Sequence, residues 1–135
     1  MADTKAQIEA EKWIREVYLP KKYGQPFRQK SLELQSRALA KFDAVSEDGE
    51  IVAAISTCTG YGAGGRKNEE DLMKTRTDAL HFLMLDYIPK ERLMLFTEQS
   101  MIDLVKDEKK RDRFPKALKI VKVKVPERLE GGGTE

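Results

Sequence analysis

The sequence predicts one α/β domain, with a mixed sheet of about five strands flanked by helices. Segments with helical periodicity alternate with β-prone runs in the order α-β-β-β-α-β-α-β. An Asp-Gly pair between the second and third β-prone runs indicates a hairpin. A helix between the third and fourth strands indicates a right-handed parallel crossover. We therefore predict a domain over residues 1–128, followed by a disordered tail over residues 129–135.

The first predicted helix begins at Asp3 or Thr4 and runs to Tyr18. Because proline disfavours helix in the residue before it, Leu19-Pro20 is expected to end this helix. Apolar residues at helical spacing predict one buried face, formed by Ala10, Trp13, Ile14, Val17 and Tyr18.

Three strands are expected next. The weak alternation of RQKSLELQS predicts a first strand around Leu32 and Leu34, and KFDAV and EIVAAISTC predict the second and third. Asp48-Gly49 is the expected turn, because glycine accepts the positive φ that a tight hairpin turn requires.

A two-residue turn at that place fixes the pairing of the hairpin. Val45 would face Val52, and Asp43 would face Ala54. Since side chains alternate along a strand, Ala54 and Ser56 would share the sheet face of Asp43.

The remaining segments complete the predicted order. After a glycine-rich loop, Asn68 is the expected N-cap of a long helix that Pro89 ends, with a broad buried face of Leu72, Ala79, Leu80, Leu83, Met84 and Tyr87. RLMLF predicts a strand covered on both faces. Ser100 is expected to cap a third helix that ends near Phe114-Pro115. ALKIVKVKV predicts a lysine-protected edge strand.

Composition excludes several functional classes. The 135 residues are 40% apolar and 36% charged, with no apolar run long enough to span a bilayer. The N-terminal residues lack the apolar centre of a signal peptide, so a cytoplasmic location and no membrane partner are expected. With Cys58 as the only cysteine and His81 as the only histidine, multi-cysteine and multi-histidine zinc sites are excluded. His81 is interpreted as a surface residue or a partner of Asp78.

Charge is distributed unevenly although the net charge is only +2. Residues 106–124 contain nine basic and three acidic side chains. Such a segment suits a phosphate backbone, or equally a solvated helix beside a lysine-guarded edge strand.

The predicted order, with Asp43 on the second strand, resembles the PD-(D/E)XK nuclease superfamily and its restriction-endonuclease-like fold. The resemblance covers nearly the whole chain as element order and rests on Asp43 as a motif residue. It implies that a carboxylate on the second strand and the acid of an acid-x-lysine motif on the third hold Mg²⁺ for phosphodiester hydrolysis, while the lysine helps to orient the attacking water and balances charge.

The acid-x-lysine position falls on Ala54-Ile55-Ser56, which has neither functional residue. Members of this family place these groups on neighbouring elements, which implies Asp43 and Lys74 as catalytic residues here. The implied metal ligands are Asp43, Glu11 and Glu33.

The glycine-rich loop after the third strand predicts an anion site, because backbone N–H groups and a helix N-terminus attract phosphate. Gly60 and Gly65 have the spacing of a nucleotide phosphate loop, but the Lys-Ser/Thr pair is missing. Cys58 and Arg66 are two residues further apart than in cysteine phosphatases. The expected phosphate-binding residues are Ser56, Gly65, Arg66 and Lys67.

Three functional interpretations follow. The first is a nuclease-like domain with a lost or atypical metal site, a pseudo-nuclease that binds nucleic acid or serves as an accessory subunit. The second is an active Mg²⁺-dependent nuclease with relocated catalytic residues, and the third is a protein-interaction or regulatory domain. The resemblance implies DNA or RNA as a partner, and a homo-oligomer or a larger protein assembly as the working form.

Overall fold

A computed structural model describes residues 4–126, apart from the side chains of Thr4 and Ala63. The strands are β1 (Phe27–Glu33), β2 (Leu39–Ser46), β3 (Ile51–Ser56), β4 (Glu91–Phe96) and β5 (Lys119–Lys122). The helices are α1 (Thr4–Trp13), a π-helical segment (Ile14–Tyr18), α2 (Leu19–Tyr23), α3 (Glu69–Met84) and α4 (Gln99–Lys110). The predicted tail lies outside the described residues.

The five strands form one mixed sheet whose spatial order equals their order in the chain. Tight connections make β1–β2 and β2–β3 antiparallel. The crossovers through α3 and α4 make β3–β4 and β4–β5 parallel. The predicted α/β class, the mixed sheet and the number of strands are therefore confirmed.

Both faces of the sheet are covered. One face packs against α1, the π-helical segment and α2, through residues such as Ile14, Leu19 and Leu93. The other face packs against α3 and α4, through residues such as Phe82 and Met101. Of the helices within residues 4–126, none is both long enough and apolar enough to cross a membrane.

The first helical region continues past the predicted end at Leu19-Pro20 and stops at Gly24, whose φ is +72°. The N–H of Leu19 bonds to the carbonyl of Ile14, five residues earlier, within the π-helical turn. This wider turn makes room for Pro20, which lacks an N–H and would clash with the carbonyl four residues before it. The prediction that Val17 is buried is also wrong, because Val17 is 47% exposed.

Helix α3 is shorter than predicted and has a narrower buried face. It ends at Met84 rather than near Pro89. Leu80 and Leu83 are 53% and 43% exposed, and Tyr87 lies beyond the helix and is 36% exposed. The buried positions repeat at three- and four-residue spacing, which leaves the neighbouring stripe in solvent. They are Leu72, Thr75, Ala79 and Phe82.

Helix α4 begins at Gln99, with Glu98 as its N-cap residue, and ends at Lys110. The Ser100 hydroxyl accepts a hydrogen bond from the backbone N–H of Gly60 at 2.8 Å, so it does not cap the helix as predicted. A Cβ on Gly60 would lie 2.5 Å from the carbonyl oxygen of Ser100, so only glycine fits this close approach.

A buried ion pair joins α3 to α4. The Nε of Arg76 donates to Oε1 of Glu108 at 2.6 Å, and the Glu108 side chain is only 6% exposed. The hydrogen bond from Arg76 is the main reason that the pKa of Glu108 lies below its ordinary value of 4.5. Arg113 lies further away, at 3.9 Å.

Replacing Arg76 with methionine should lower the free energy of unfolding at pH 7 by about 2–3 kcal/mol, because a buried carboxylate loses its main partner. Since the pKa of Glu108 is lowered by folding, the pairing stabilises the fold above pH 4.5 and is lost as the pH falls through the folded-state pKa. Urea unfolding at pH 7 and at pH 3 should therefore show a smaller difference from wild type at pH 3.

Arg111→Met, which removes an exposed pair with Asp107, is the control and should cost under about 0.5 kcal/mol. Equal costs for the two variants at pH 7 would contradict this account.

Candidate functional site

The β2–β3 hairpin has the predicted register. Val45 faces Val52, as the sequence analysis expected. The turn differs from the predicted two-residue turn at Asp48-Gly49, because the N–H of Gly49 donates to the carbonyl of Ser46 at 2.9 Å. The turn therefore spans Ser46–Gly49, and Gly49 takes the expected positive φ, +75°, at its last position.

A β-bulge interrupts β2 at Asp43. Against β1, Val45 pairs with Arg28 and Phe42 pairs with Lys30. Two steps along β1 thus correspond to three steps along β2, which leaves an extra residue in β2 around Asp43. Bulges bend a strand and change the direction of its side chains, and they are common beside active sites.

The carboxylate of Asp43 takes the place of the next backbone pairing between β2 and β3. The ladder consists of Val45–Val52 and Ala44–Ala53. Beyond Ala44–Ala53, where the ladder would continue, Oδ2 of Asp43 accepts a hydrogen bond from the backbone N–H of Ile55 at 2.8 Å. The side chain therefore satisfies an amide that a continuous strand would have bonded through its backbone.

Beyond the bulge, the β1–β2 ribbon turns away from β3 and packs over α3. The rings of Phe42 and Phe82 lie 5.3 Å apart between centroids. The end of the ribbon forms an antiparallel bridge between Leu34 and Leu85, just after α3. The backbone pairing of β2 with β3 thus stops at Ala44–Ala53, before the carboxyl-terminal half of β3.

A cavity of about 180 Å³ lies at this carboxyl-terminal half of β3. It is lined by residues of α1, β3, α3 and β4 and of the segment that follows β3. Its polar lining residues are Glu11, Ser56, Thr57, Cys58, Asp71, Lys74, Thr75 and Asp78.

Helix α3 supplies an ion pair to the cavity. Nζ of Lys74 lies 3.3 Å from Oδ2 of Asp78, one helical turn later. Burial raises the pKa of Asp78, and the charge of Asp43 raises it further, while Lys74 and His81 only partly oppose this. Desolvation by burial acts to lower the pKa of Lys74. The negative charges of Asp78, Asp43 and Glu11 act in the opposite direction and outweigh it, so the pKa of Lys74 is raised. The charge of Asp43 therefore acts on both members of this ion pair.

Helix α1 and the π-helical segment, which pack on the other face of the sheet from α3, supply a second ion pair. Nη1 of Arg15 donates to Oε2 of Glu11 at 3.0 Å and to the backbone carbonyl of Asp43 at 3.2 Å. The Arg15 side chain is only 15% exposed. Arg15 thus ties Glu11 to the bulge.

The structure brings together three of the four residues that were expected to form a relocated site. Glu11 and Lys74 line the cavity, and Asp43 bonds to Ile55, another lining residue. Glu33 does not join them, because it lies at the end of the ribbon and pairs with Arg37 at 3.1 Å.

Asp78 is the site residue that sequence reasoning missed. It was considered only as a partner for His81, although it lies one turn after Lys74 on the same side of α3. That spacing was a usable signal, because residues four apart on a helix are neighbours.

The predicted phosphate-binding residues do not form one group. Ser56 lines the cavity, whereas Gly65, Arg66 and Lys67 are exposed and do not line it. The loop that carries them folds back on itself, through a bridge between Tyr61 and Lys67.

Cys58 does not have the properties of a nucleophilic thiol. Burial, followed by the charge of Asp71 and a hydrogen bond to it, raises the pKa of Cys58 to about 11. The thiol is protonated at neutral pH and unreactive, which removes the phosphatase-like interpretation.

The rate of Cys58 alkylation by iodoacetamide should increase about tenfold per pH unit between pH 7 and pH 9.5, because only the thiolate reacts. Asp71→Asn should lower the pKa of the thiol and speed the reaction severalfold at pH 8. Glu69→Gln changes an acid in the same helical turn that does not act on Cys58, and it should leave the rate unchanged. A rate that levels off below pH 9 in the wild type would contradict the raised pKa.

Two further observations bear on function. Within residues 4–126, the structure contains no group of three His, Cys, Asp or Glu side chains arranged to hold a metal ion. No protein-family model, curated protein or solved structure matches this chain.

Proposed function

We propose that this chain is a nuclease-like domain with a relocated cation site that hydrolyses phosphodiester bonds in nucleic acid. The observation that carries the proposal is that Glu11, Lys74 and Asp78 line one cavity at the carboxyl ends of β3 and β4. Asp43 lies beside it, because it bonds to the lining residue Ile55 and its charge acts on Lys74 and Asp78. These four residues supply the acids and the lysine that Ala54 and Ser56 do not supply on β3.

The arrangement of the sheet supports the proposal. Three antiparallel strands are followed by a helical crossover to a parallel fourth strand. This is the αβββαβ order on which the resemblance to PD-(D/E)XK nucleases rests. The bulge places Asp43 at the point where β2 leaves β3.

The residues present fit a Mg²⁺ ion better than a cation that needs many protein ligands. Mg²⁺ keeps several waters and is usually held by one or two carboxylates together with substrate phosphates. Asp43 and Asp78 provide two carboxylates whose charges repel each other, and a divalent cation would relieve that repulsion. The bond to Ile55 uses one oxygen of Asp43, and a carboxylate has two.

Asp43 and Asp78 would hold the ion, with Glu11 nearby. A bound Mg²⁺ would polarise the phosphate and lower the pKa of a bound water. Lys74 would contribute a positive charge for the phosphate oxygens as negative charge develops on them. The hydroxyls of Ser56 and Thr57, which line the same cavity, would donate hydrogen bonds to the substrate backbone.

Asparagine substitutions separate the structural part played by Asp43 from its chemical part. Asp43→Asn keeps an oxygen that accepts from the Ile55 amide, so the fold should persist, but it removes the charge. We expect Asp43→Asn and Asp78→Asn each to weaken Mn²⁺ binding, measured by calorimetry, by about tenfold or more. Each should also abolish Mn²⁺-dependent cleavage of labelled DNA and RNA oligonucleotides.

The matched control is Glu33→Gln, because Glu33 is also an acid of the β1–β2 ribbon but lies away from the cavity. It should bind Mn²⁺ and cleave like the wild type. Equal Mn²⁺ affinities for the wild type, Asp43→Asn and Asp78→Asn would refute the cation site.

A second candidate is nucleic-acid binding without hydrolysis. The exposed lysines of α4 and the β5 edge strand, among them Lys106, Lys110 and Lys122, provide positive charge for a phosphate backbone.

If this surface binds nucleic acid, the dissociation constant at physiological salt should be tighter than about 10⁻⁴ M and should weaken steeply as salt is added. Replacing Lys122 with glutamine should reduce the slope of log K against log salt concentration by about one. The control is Lys21→Gln on α2, which packs on the other face of the sheet. Fluorescence anisotropy with labelled DNA and RNA measures both quantities. Equal slopes for the two variants would place any binding elsewhere.

A further inference from the structure

Two positively charged side chains are held in different ways: Lys74 lines the cavity, and Arg15 pairs with the lining residue Glu11. Arg15 is 15% exposed and bonds both to the Glu11 carboxylate and to the Asp43 backbone carbonyl. Lys74 is 64% exposed and makes one charged contact, to Asp78 at 3.3 Å. Arginine keeps its charge and its planar geometry, whereas lysine has a compact charge on a flexible stem. Arg15 is thus built into the fold, and Lys74 is free to move.

The acids around Lys74 come from three different elements. Asp78 lies on its own helix, Asp43 on the bulge of β2, and Glu11 on α1. All three act electrostatically on the Lys74 amine. Glu11 is already paired with Arg15, so Asp78 and Asp43 are the acids whose charges Lys74 chiefly balances. These are also the two acids that the proposed function assigns to the cation.

We propose that Lys74 is a tethered counter-ion that competes with the divalent cation for Asp78 and Asp43. When the cation is absent, the amine offsets the repulsion between the two carboxylates. When the cation binds, the amine leaves Asp78 and its exposed stem allows it to turn towards a phosphate in the cavity. This inference rests on the proposed cation site, and it makes Lys74 oppose cation binding while it assists the substrate.

The competition predicts opposite effects of one substitution on two measurements. Lys74→Met keeps the length of the side chain and removes the charge. Mn²⁺ should bind about tenfold more tightly to this variant by calorimetry, because the ion no longer displaces an amine. Without Mn²⁺ the melting temperature should fall, and with saturating Mn²⁺ it should rise by more than in the wild type. Binding of a short oligonucleotide in the presence of Mn²⁺ should weaken.

The matched control is Lys116→Met. Lys116 also pairs with an aspartate four residues away at 3.3 Å, but both side chains are exposed and lie away from the cavity. This variant should have the Mn²⁺ affinity of the wild type. A change equal to that of Lys74→Met would mean that any lost lysine raises the affinity through net charge alone, and it would overturn the inference.

The comparison also separates this inference from the proposed function. Mn²⁺ binding by the wild type that is lost in Asp43→Asn supports the cation site. With that result in hand, unchanged or weaker binding by Lys74→Met overturns the counter-ion while the site stands. Binding by Lys74→Met but not by the wild type supports the counter-ion and shows that Lys74 blocks the site. Failure of both proteins to bind Mn²⁺ overturns both proposals.

Discussion

The hydrogen bond between the Asp43 carboxylate and the Ile55 amide is the contact on which the site depends. It ends the pairing of β2 with β3 after two residue pairs and satisfies the next amide of β3 with a side chain. The bulge then turns the β1–β2 ribbon onto α3, where Phe42 meets Phe82. Asp43 therefore both ends the backbone pairing and supplies a charge that acts on Lys74 in the cavity.

The charges around the cavity are largely paired within the protein. Arg15 offsets Glu11, and Lys74 offsets Asp78. Burial is the main cause of the raised pKa of Asp78, and the negative charge of Asp43 adds to it. A partly buried carboxylate that is neither fully paired nor fully solvated is typical of functional sites, although structural ion-pair networks also contain such groups. The proposed cation and the proposed counter-ion address this same imbalance.

Much of the fold was predictable because local signals agree with the final structure. The Asp-Gly turn gave the register of Val45 with Val52, and the long helix after β3 indicated the parallel crossover. Asp43, Glu11 and Lys74 were candidate site residues because of the resemblance to PD-(D/E)XK nucleases rather than because of a local signal, and Glu11 and Lys74 do line one cavity. The bulge was not predictable, because it depends on the pairing of β2 with β1 rather than on the sequence of β2 alone. Glu33 was expected near Asp43, but it lies at the end of β1 and pairs with Arg37. Asp78 was considered only as a partner of His81, because the candidate acids were sought on α1 and β1.

The π-helical turn determines which side of the first helix faces the sheet. In an α-helix each residue advances the side chains by about 100°, so one extra residue in a turn rotates everything before it by that angle. Val17 therefore does not point in the same direction as Ala10 and Ile14: it is exposed, whereas they are buried. Glu11 lies before the turn and lines the cavity, whereas Val17 lies within the turn and is exposed. The phase of the helix on each side of the turn therefore decides which of its side chains face the site and which face solvent.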